Sequence, residues 1–365
     1  MTIFLMAAIM ILIIGVQAFV PFLVKKTEVF GVYVPQEYTQ KKTLELLKKR
    51  YATMVVLAGI VAAAIYAILL SVTEATEEAA AFWGLGLQLA LILFSMALYL
   101  INHLKVKNEK QQEGWTVGKK EKVVVDLQFR NDLEMVSGIA FLLPMLITAG
   151  LIFYTISQYG SLPHQIPVHW GPGGTPDRFT DKTAFSSISL LLVLLMMQAL
   201  FYFLNQARKT SGAKIMASQK QRSRERELAS RKYGSWLLFI TTVSATLLLG
   251  SFQLSIIHPE LGSALWNMAL IIGFLILVLG GTALYTFKVV KSGLAAAEQQ
   301  QQPGIIDADR DEHWKAGIFY VNKEDPSVMV DKRFGVGWTV NFGNPKSWLY
   351  VLLPFVVLLA IALLI

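Results

Sequence analysis

Eight long apolar runs, near residues 3–24, 51–73, 79–102, 135–158, 184–205, 235–257, 264–287 and 348–365, contain no Asp, Glu, Lys, Arg or His. At ~1.5 Å per residue, roughly 20 such residues cross the hydrocarbon core of a bilayer, so each run is a candidate transmembrane helix. The last, at 18 residues, is barely long enough.

The gaps between the runs divide by charge. Thirty-one of the thirty-three Lys and Arg residues fall in alternate gaps, and only Arg178 and Lys182 fall in the others. Basic residues beside short loops stay on the cytoplasmic side. Gaps 25–50, 103–134 and 206–234 carry 7, 7 and 9 basic residues and are assigned inside; gaps 74–78, 159–183 and 258–263 carry 0, 2 and 0 and are assigned outside. The gap 288–347, with 8 basic and 8 acidic residues, is cytoplasmic by alternation. The expectation is an all-α polytopic membrane protein with about eight transmembrane helices, N-out and C-out. Lys25 and Lys26 follow the first run directly, the reverse of a signal peptide, so that helix is read as retained.

The net charge of +8 is distributed as membrane orientation alone requires, so no direct nucleic-acid partner is expected. Arg222, Arg224, Arg226, Arg231 and Lys232 suit anionic lipid headgroups as well. With no Cys there is no disulfide framework, thiolate metal site or Cys nucleophile.

Five segments follow: a three-helix region with basic loops (1–134), a helix pair flanking a Pro/Gly-rich loop (135–207), a basic loop and helix hairpin (208–287), a linker with a β unit (288–347), and the last helix (348–365). Helices two and three, and six and seven, are joined by short turns and form antiparallel hairpins. Gly59, Ala63 and Ala67 at four-residue spacing mark a packed face on helix two. QEYTQKKTLELLKKR (36–50), after an extended FGVYVP segment, reads as a solvated connector in preference to a surface-lying amphipathic helix. Gln299, Gln302, Pro303 and Gly304 break the helix leaving the seventh run. Beyond them, aromatic and β-branched runs at 317–321, 327–330 and 338–342, separated by NKEDP and by Gly335 and Gly337, predict a small three-stranded β meander. So small a sheet leans on other loops or on the membrane.

The loop YGSLPHQIPVHWGPGGTPDRFTDKT (159–183) is too specific for a spacer. Pro163 and Pro167 hold an extended segment, Gly171, Gly173 and Gly174 permit positive φ in turns, and Pro176 with Asp177 opens another turn. His164, His169, Trp170, Asp177, Arg178 and Lys182 are its candidate ligand-binding residues. His164, His169, Asp177 and Asp181 at this spacing match no standard zinc pattern. The preferred reading packs His169 and Trp170 onto the membrane interface and bonds Asp177 to its own turn, with no metal or cofactor. There is no HExxH, GxSxG or Walker loop, and the glycine-rich GVGWTVNFG has no following helix to bind phosphate, so no enzyme is expected.

Pro163, Ile166, Pro167, His169, Trp170, Gly174, Pro176, Asp177 and Lys182 give the loop a resemblance to the extracellular domain of unknown function in the bacterial Sdp immunity-protein family. That resemblance implies a membrane protein that protects its producer from a secreted toxic peptide and draws a transcriptional repressor to the membrane. Here three extra helices precede the loop, an arrangement unlike the immunity protein itself. The tail, through Trp314, Tyr320, Asn322, Asp325, Pro326, Val330, Lys332, Arg333, Gly337, Trp338, Asn341, Gly343 and Pro345, resembles an uncharacterised C-terminal module of Gram-positive membrane proteins.

On the inner side, Tyr320, Trp338 and Phe342 beside Lys332 and Arg333 are residue types enriched at binding hot spots and form the candidate partner site. The competing expectation buries Trp338 and Phe342 against the loop 206–234. Ion-coupled carriers keep ionisable groups in their spans, and these spans have none. They hold only neutral polar groups such as Gln17, Gln88, Gln198 and Asn267 and a Thr and Ser cluster at 241–246. The sequence thus points to a multi-pass bacterial plasma-membrane protein of immunity or signalling type. Its expected partners are the lipid bilayer, an extracellular peptide and a cytoplasmic regulator. The alternatives are a transporter of a peptide or lipid and a non-catalytic structural subunit. In this Cys-free chain, a cysteine at Ser161 should react with an impermeant thiol reagent in intact cells and one at Ser327 only after lysis; the opposite pattern reverses the orientation.

Overall fold

The structure, a computed structural model, describes residues 2–72, 76–117, 120–124, 126, 128–171, 174–213, 215–217, 219–292, 305–307, 311–334 and 337–364. Glu74, Gly173, the glutamines at 299–302, Pro303, Gly304 and Gly335 lie outside the described residues.

Each apolar run is a helix: α1 (Thr2–Leu23), α2 (Lys42–Val72), α3 (Glu77–Gln112), α4 (Gly138–Ser157), α5 (Ser189–Thr210), α6 (Lys220–Ile257), α7 (Ala264–Lys291) and α8 (Pro345–Leu364). The first seven are long and apolar enough to cross a membrane, while the apolar stretch of α8 is shorter. Large apolar side chains stand exposed on all eight, Phe4 at 82% and Phe153 at 77% among them. Apolar surface on that scale is what contact with lipid requires.

Helices α1, α2 and α3 pack on one another; α4, α5 and α6 form a second group, with α7 antiparallel along α6 and α8 against α5. The buried face of α2 runs through Tyr51, Val55, Gly59, Ala62 and Tyr66. Of the predicted small-residue stripe only Gly59 lies on it, because a strict four-residue step drifts ~40° around a helix each time. Ile14 covers Gly59 so closely that a Cβ there would meet its side chain at 2.4 Å.

Neutral polar side chains set the register of the second group at three levels. Gln198 donates to Thr148 Oγ1 and Thr246 Oγ1, both at 2.8 Å. Gln253 donates to Thr155 Oγ1 at 3.2 Å and Ser187 O at 2.9 Å. Ser235 donates to Asn205 Oδ1 at 2.7 Å, and Asn205 to Val136 O at 3.2 Å. Where lipid removes the hydrophobic drive between helices, such bonds and close packing hold them together.

Three helices run well past their apolar stretches. Residues 42–50 are the first turns of α2, not a connector, and only Gln36–Tyr38 forms a separate 3-10 turn. Lys, Glu and Leu are good helix formers with no breaker among them, and Glu45 pairs with Lys49 one turn on at 2.6 Å. In the same way α3 continues to Gln112, and α6 begins at Lys220, 15 residues before its apolar run.

Short strands gather the polar loops at this basic end. β1 (Glu28–Val29) and β2 (Val32–Tyr33) form a hairpin whose turn residues, Phe30 (φ 46°) and Gly31 (φ 74°), are both left-handed, as a two-residue hairpin turn demands. The expected extended FGVYVP segment therefore reverses direction at its first two residues. β3 (Lys120–Val124) pairs antiparallel with β6 (Ile215–Met216) and parallel with β7 (Ile305–Asp307). β4 (Gln165–Trp170) and β5 (Pro176–Asp181) form a hairpin at the opposite end.

The predicted C-terminal β unit is present before the last helix, built as two hairpins. β8 (Trp314–Lys315) pairs with β9 (Phe319–Tyr320), and β10 (Met329–Asp331) with β11 (Trp338–Val340). A parallel bridge between Tyr320 and Asn341 joins them, so the segment 317–321 pairs back onto Trp314 and not with 327–330. Asn341, fully buried, ties the unit together: Oδ1 accepts from the amides of Asn322 and Gly343, both at 3.0 Å, and Nδ2 donates to Asn322 O at 2.8 Å and Asp325 O at 3.0 Å. Each buried group left unpaired costs about 1–3 kcal/mol. Asn341→Ala should therefore open residues 311–343 to limited proteolysis while the helices stay folded; unchanged cleavage there would show that Asn341 is not the tie.

Candidate functional site

One side of the β4–β5 hairpin lies on the bundle. Its register is Gln165↔Asp181, Ile166↔Thr180, Pro167↔Phe179, His169↔Arg178 and Trp170↔Pro176, with irregularities on either side of His169. Ile166 and Leu162 are buried against Ile256 and Ile257 at the end of α6. Trp170 stacks on Phe252 of α6, ring centroids 4.6 Å apart and planes 22° off parallel. Gly174 (φ 75°) sits on the first turn of α7, where a Cβ would come within 2.5 Å of Ala264 O, and its carbonyl accepts from buried Asn267 Nδ2 at 3.0 Å.

The other side faces outward. His169 Nδ1 and Asp177 Oδ1 are 2.5 Å apart, both side chains about half exposed, and Gln165 donates to Asp181 at 2.6 Å. His164 and Arg178 are exposed. Lys182 donates to Leu162 O at 2.9 Å and lies 5.0 Å from the Tyr159 ring centre. The six candidate residues thus separate. Trp170 and Lys182 hold the hairpin down; His164, His169, Asp177 and Arg178 present imidazole, carboxylate and guanidinium groups to the medium. Trp170 reaches a helix ring, and His169 is exposed.

At the basic end a second constellation is buried. Arg208, in the last turn of α5, donates to Asp331 Oδ1 at 2.7 Å and lies 3.2 Å from Glu227 Oε1. Arg231 donates to Glu227 Oε1 at 2.8 Å and to the carbonyls of Arg208 and Ser211 at 3.0 Å and Gly212 at 2.9 Å. Those carbonyls sit at and just past the end of α5, where helix carbonyls lack partners of their own. Trp338 lies over the Arg208 guanidinium at 5.3 Å, meets Tyr285 edge-on at 6.2 Å, and presses on Gly234, where a Cβ would touch its ring at 2.5 Å. One network therefore clamps β10 and β11 to α5, α6 and α7. Beside it a cavity of about 30 Å³, lined by Lys25, Glu28, Arg226, Glu227, Asp331 and Lys332, has room for a water or two.

A second clamp holds the same unit to the first helix group. Arg333, 6% exposed, pairs with Asp311 and donates to Gly31 O at 3.2 Å, while Lys110 of α3 donates to Asp311 Oδ2 at 2.7 Å. The turn tips at Gly31 and Gly317 meet so closely that a Cβ on Gly31 would fall 2.7 Å from Gly317 Cα.

The five candidate partner residues do not form one open face. Tyr320 is fully buried and donates to Asp325 Oδ2 at 2.9 Å; Arg333 and Trp338 hold the clamps; Lys332 lines the cavity. Phe342 packs edge-on against Phe319 and Trp348, both at 5.6 Å. Of the two residues expected against the segment 206–234, Trp338 meets it, because so small a sheet needs cover from outside, while Phe342 packs within its own unit and on the start of α8. Arg208, Glu227 and Asp331 are not among the residues singled out in the sequence, and Arg231, expected to suit lipid headgroups, is buried in the clamp instead. The signals available were the one-turn spacing of Glu227 and Arg231 and an acidic residue inside the strand run VMVD.

Residues 220–234 of α6 precede its apolar run, so Glu227 lies outside the membrane-spanning segment. Burial, joined by the neighbouring Asp331 charge, pushes its carboxyl up to about 7 against the pull of Arg208 and Arg231. Burial opposes ionisation of Asp331 too, but Arg208, a hydrogen bond from Glu227, and Lys25 hold it well below the usual carboxylate range. Glu227 thus keeps its proton in the fold at pH values where the unfolded chain has lost it. Stability should fall as pH rises from the ordinary glutamate value to about 7, then level off. Glu227→Gln retains an acceptor for Arg231 and should flatten that slope in thermal unfolding; a wild-type slope of the opposite sign would show Glu227 ionised.

Two family models match the chain. A domain of unknown function (DUF1648) matches residues 140–196, from α4 through the hairpin into α5. A family of unknown function (DUF5808) matches residues 323–348, covering β10, β11 and the start of α8. Neither curated proteins nor solved structures give a match. The two matched segments contain the outer hairpin and the clamped strands, as uncharacterised modules, and carry no assignment to an immunity family.

Proposed function

We propose that this multi-pass membrane protein relays an external binding event to its basic, cytoplasmic end, in the manner of a signal-transduction or immunity protein. One observation supports the reading above others: two separate modules grip opposite ends of the same helices. The hairpin sits on Phe252 of α6 and Asn267 of α7. The C-terminal strands grip Glu227 and Arg208 through Asp331, and Tyr285 of α7 through Trp338. From Phe252 to Glu227 is ~38 Å along one unbroken helix.

A ligand shifts such a system only if it binds one arrangement better than another. The exposed hairpin face offers His164, His169, Asp177 and Arg178 beside Phe179, 53% exposed, a mixed surface suited to a secreted peptide. At the other end the clamp rests on charges whose geometry is discrete, so a displacement of α6 against α5 exchanges partners and frees strand surface for a cytoplasmic regulator. The role is binding and transmission, without catalysis or cofactor.

Deleting the gene should sensitise cells to a secreted antimicrobial peptide, and the native chain should restore tolerance. Trp170→Ala and Asp177→Ala should insert normally and fail to restore it, since neither residue lies in a span. If deletion leaves tolerance unchanged across a panel of such peptides, the immunity reading fails. Should both variants lose thermal stability in step with the response, the hairpin is only a structural cap.

A further inference from the structure

The groove between the basic ends of α6 and α7 has a different character from the clamp beside it. It has a volume of about 350 Å³ and is lined by Leu228, Ala229, Lys232 and Tyr233 of α6 and Lys288 and Lys291 of α7. Lys232 is neutralised by Glu134, and Asp132, also at the rim, by Arg224. Lys288 and Lys291 have no carboxylate partner among the described residues; their ammonium groups lie 5.9 Å from the Tyr233 ring centre and 5.6 Å from that of Phe287. The groove therefore carries two uncompensated positive charges.

Its level in the membrane is fixed by the sequence. Lys288 is the first residue after the apolar run of α7, and Tyr233 stands two residues before that of α6. Above the groove, the same faces of both helices continue as exposed apolar surface. On α6, Tyr233, Trp236, Ile240 and Leu247 follow at steps of 3, 4 and 7 residues, with Trp236 47% and Leu247 62% exposed. On α7, Leu284 and Leu277 lie 4 and 11 residues before Lys288, 63% and 49% exposed. Cationic rim, aromatic floor and apolar wall stack in the order of a headgroup, a glycerol and an acyl chain.

We propose that this groove binds an anionic phospholipid of the cytoplasmic leaflet, its phosphate between Lys288 and Lys291 and an acyl chain along Trp236 and Leu284. Four arginines of the 206–234 segment do not serve, because Arg224 is paired with Asp126 and Asp132, Arg226 donates to Leu23 O, and Arg208 and Arg231 are buried in the clamp. The proposal is independent of the relay.

The test is native mass spectrometry of the full chain in mild detergent with phosphatidylglycerol or phosphatidylcholine added. The chain should retain phosphatidylglycerol in preference. Lys288→Gln with Lys291→Gln should weaken that binding by roughly 30-fold, corresponding to about 1 kcal/mol per lysine near the membrane surface. Lys323→Gln, an exposed lysine on the C-terminal unit, should leave it unchanged. Should the double variant not fold, the wild-type chain still decides: phosphatidylglycerol with brominated acyl chains should quench fluorescence in the native chain by more than in Trp236→Phe. Equal retention of the two lipids, unaltered binding in a folded double variant, or equal quenching with and without Trp236 overturns the proposal. So does displacement by an equal concentration of inorganic phosphate, which marks a site for a free anion.

Discussion

Two guanidiniums, the Asp331 carboxylate and the Glu227 carboxyl group, gathered where the apolar spans end, hold the rest of this molecule in place. Arg208 and Arg231 share Glu227, and Arg208 reaches across to Asp331 on a strand 123 residues further along the chain. Removing one partner of such a network leaves a buried charge without compensation, a loss of about 3–5 kcal/mol. Because Arg231 also collects the carbonyls at the end of α5, the turn between α5 and α6, the docking of the β strands and the seating of Trp338 all depend on one site. The bilayer makes this arrangement practicable: the apolar spans need no charged contacts of their own, and the charges gather at the boundary, where the backbone leaves the lipid.

Within the spans, neutral amides and hydroxyls do the corresponding work. Each of the three polar levels, at Asn205, Gln198 and Gln253, places an amide between neighbours of the second helix group or against the backbone at its edge. The Thr hydroxyls that receive them also donate to their own helix backbone, Thr148 to Pro144 O at 3.0 Å and Thr246 to Thr242 O at 2.8 Å, so an acceptor remains for the glutamine. The first helix group uses the same kind of bond, Gln88 of α3 donating to Met6 O of α1 at 3.2 Å and Tyr66 of α2 to Ala80 O at 3.1 Å, and adds rings such as Phe30 between Tyr51 and Tyr99.

The spans were legible because a run without charge, long enough to cross lipid, has few other fates. Strand positions in the C-terminal unit were legible too, from the aromatic and β-branched runs. Their pairing was not, since strands of two or three residues carry almost no register signal and the hairpins are joined by a single backbone bridge at Tyr320 and Asn341 together with the bonds of one side chain, Asn341. The helical extensions of α2, α3 and α6 were hidden because Lys, Glu and Arg serve equally in a loop and on a solvated helix. The outer loop announced itself by its prolines, glycines and aromatic residue; that Trp170 would find Phe252, 82 positions away, is a tertiary fact. The same holds for Arg208 and Asp331, whose types were visible and whose meeting was not.

The continuity of α6 has a mechanical consequence. Its 38 residues make a rod ~57 Å long, against a hydrocarbon thickness of ~30 Å. The 15 residues before the apolar run project about 22 Å beyond it, and they carry Glu227 and Arg231. Pivoted at mid-membrane, such a rod converts a tilt of roughly 10° into a sweep of about 5 Å at Glu227, close to one helical turn. A lever of that length sets the scale on which ion partners one turn apart are exchanged.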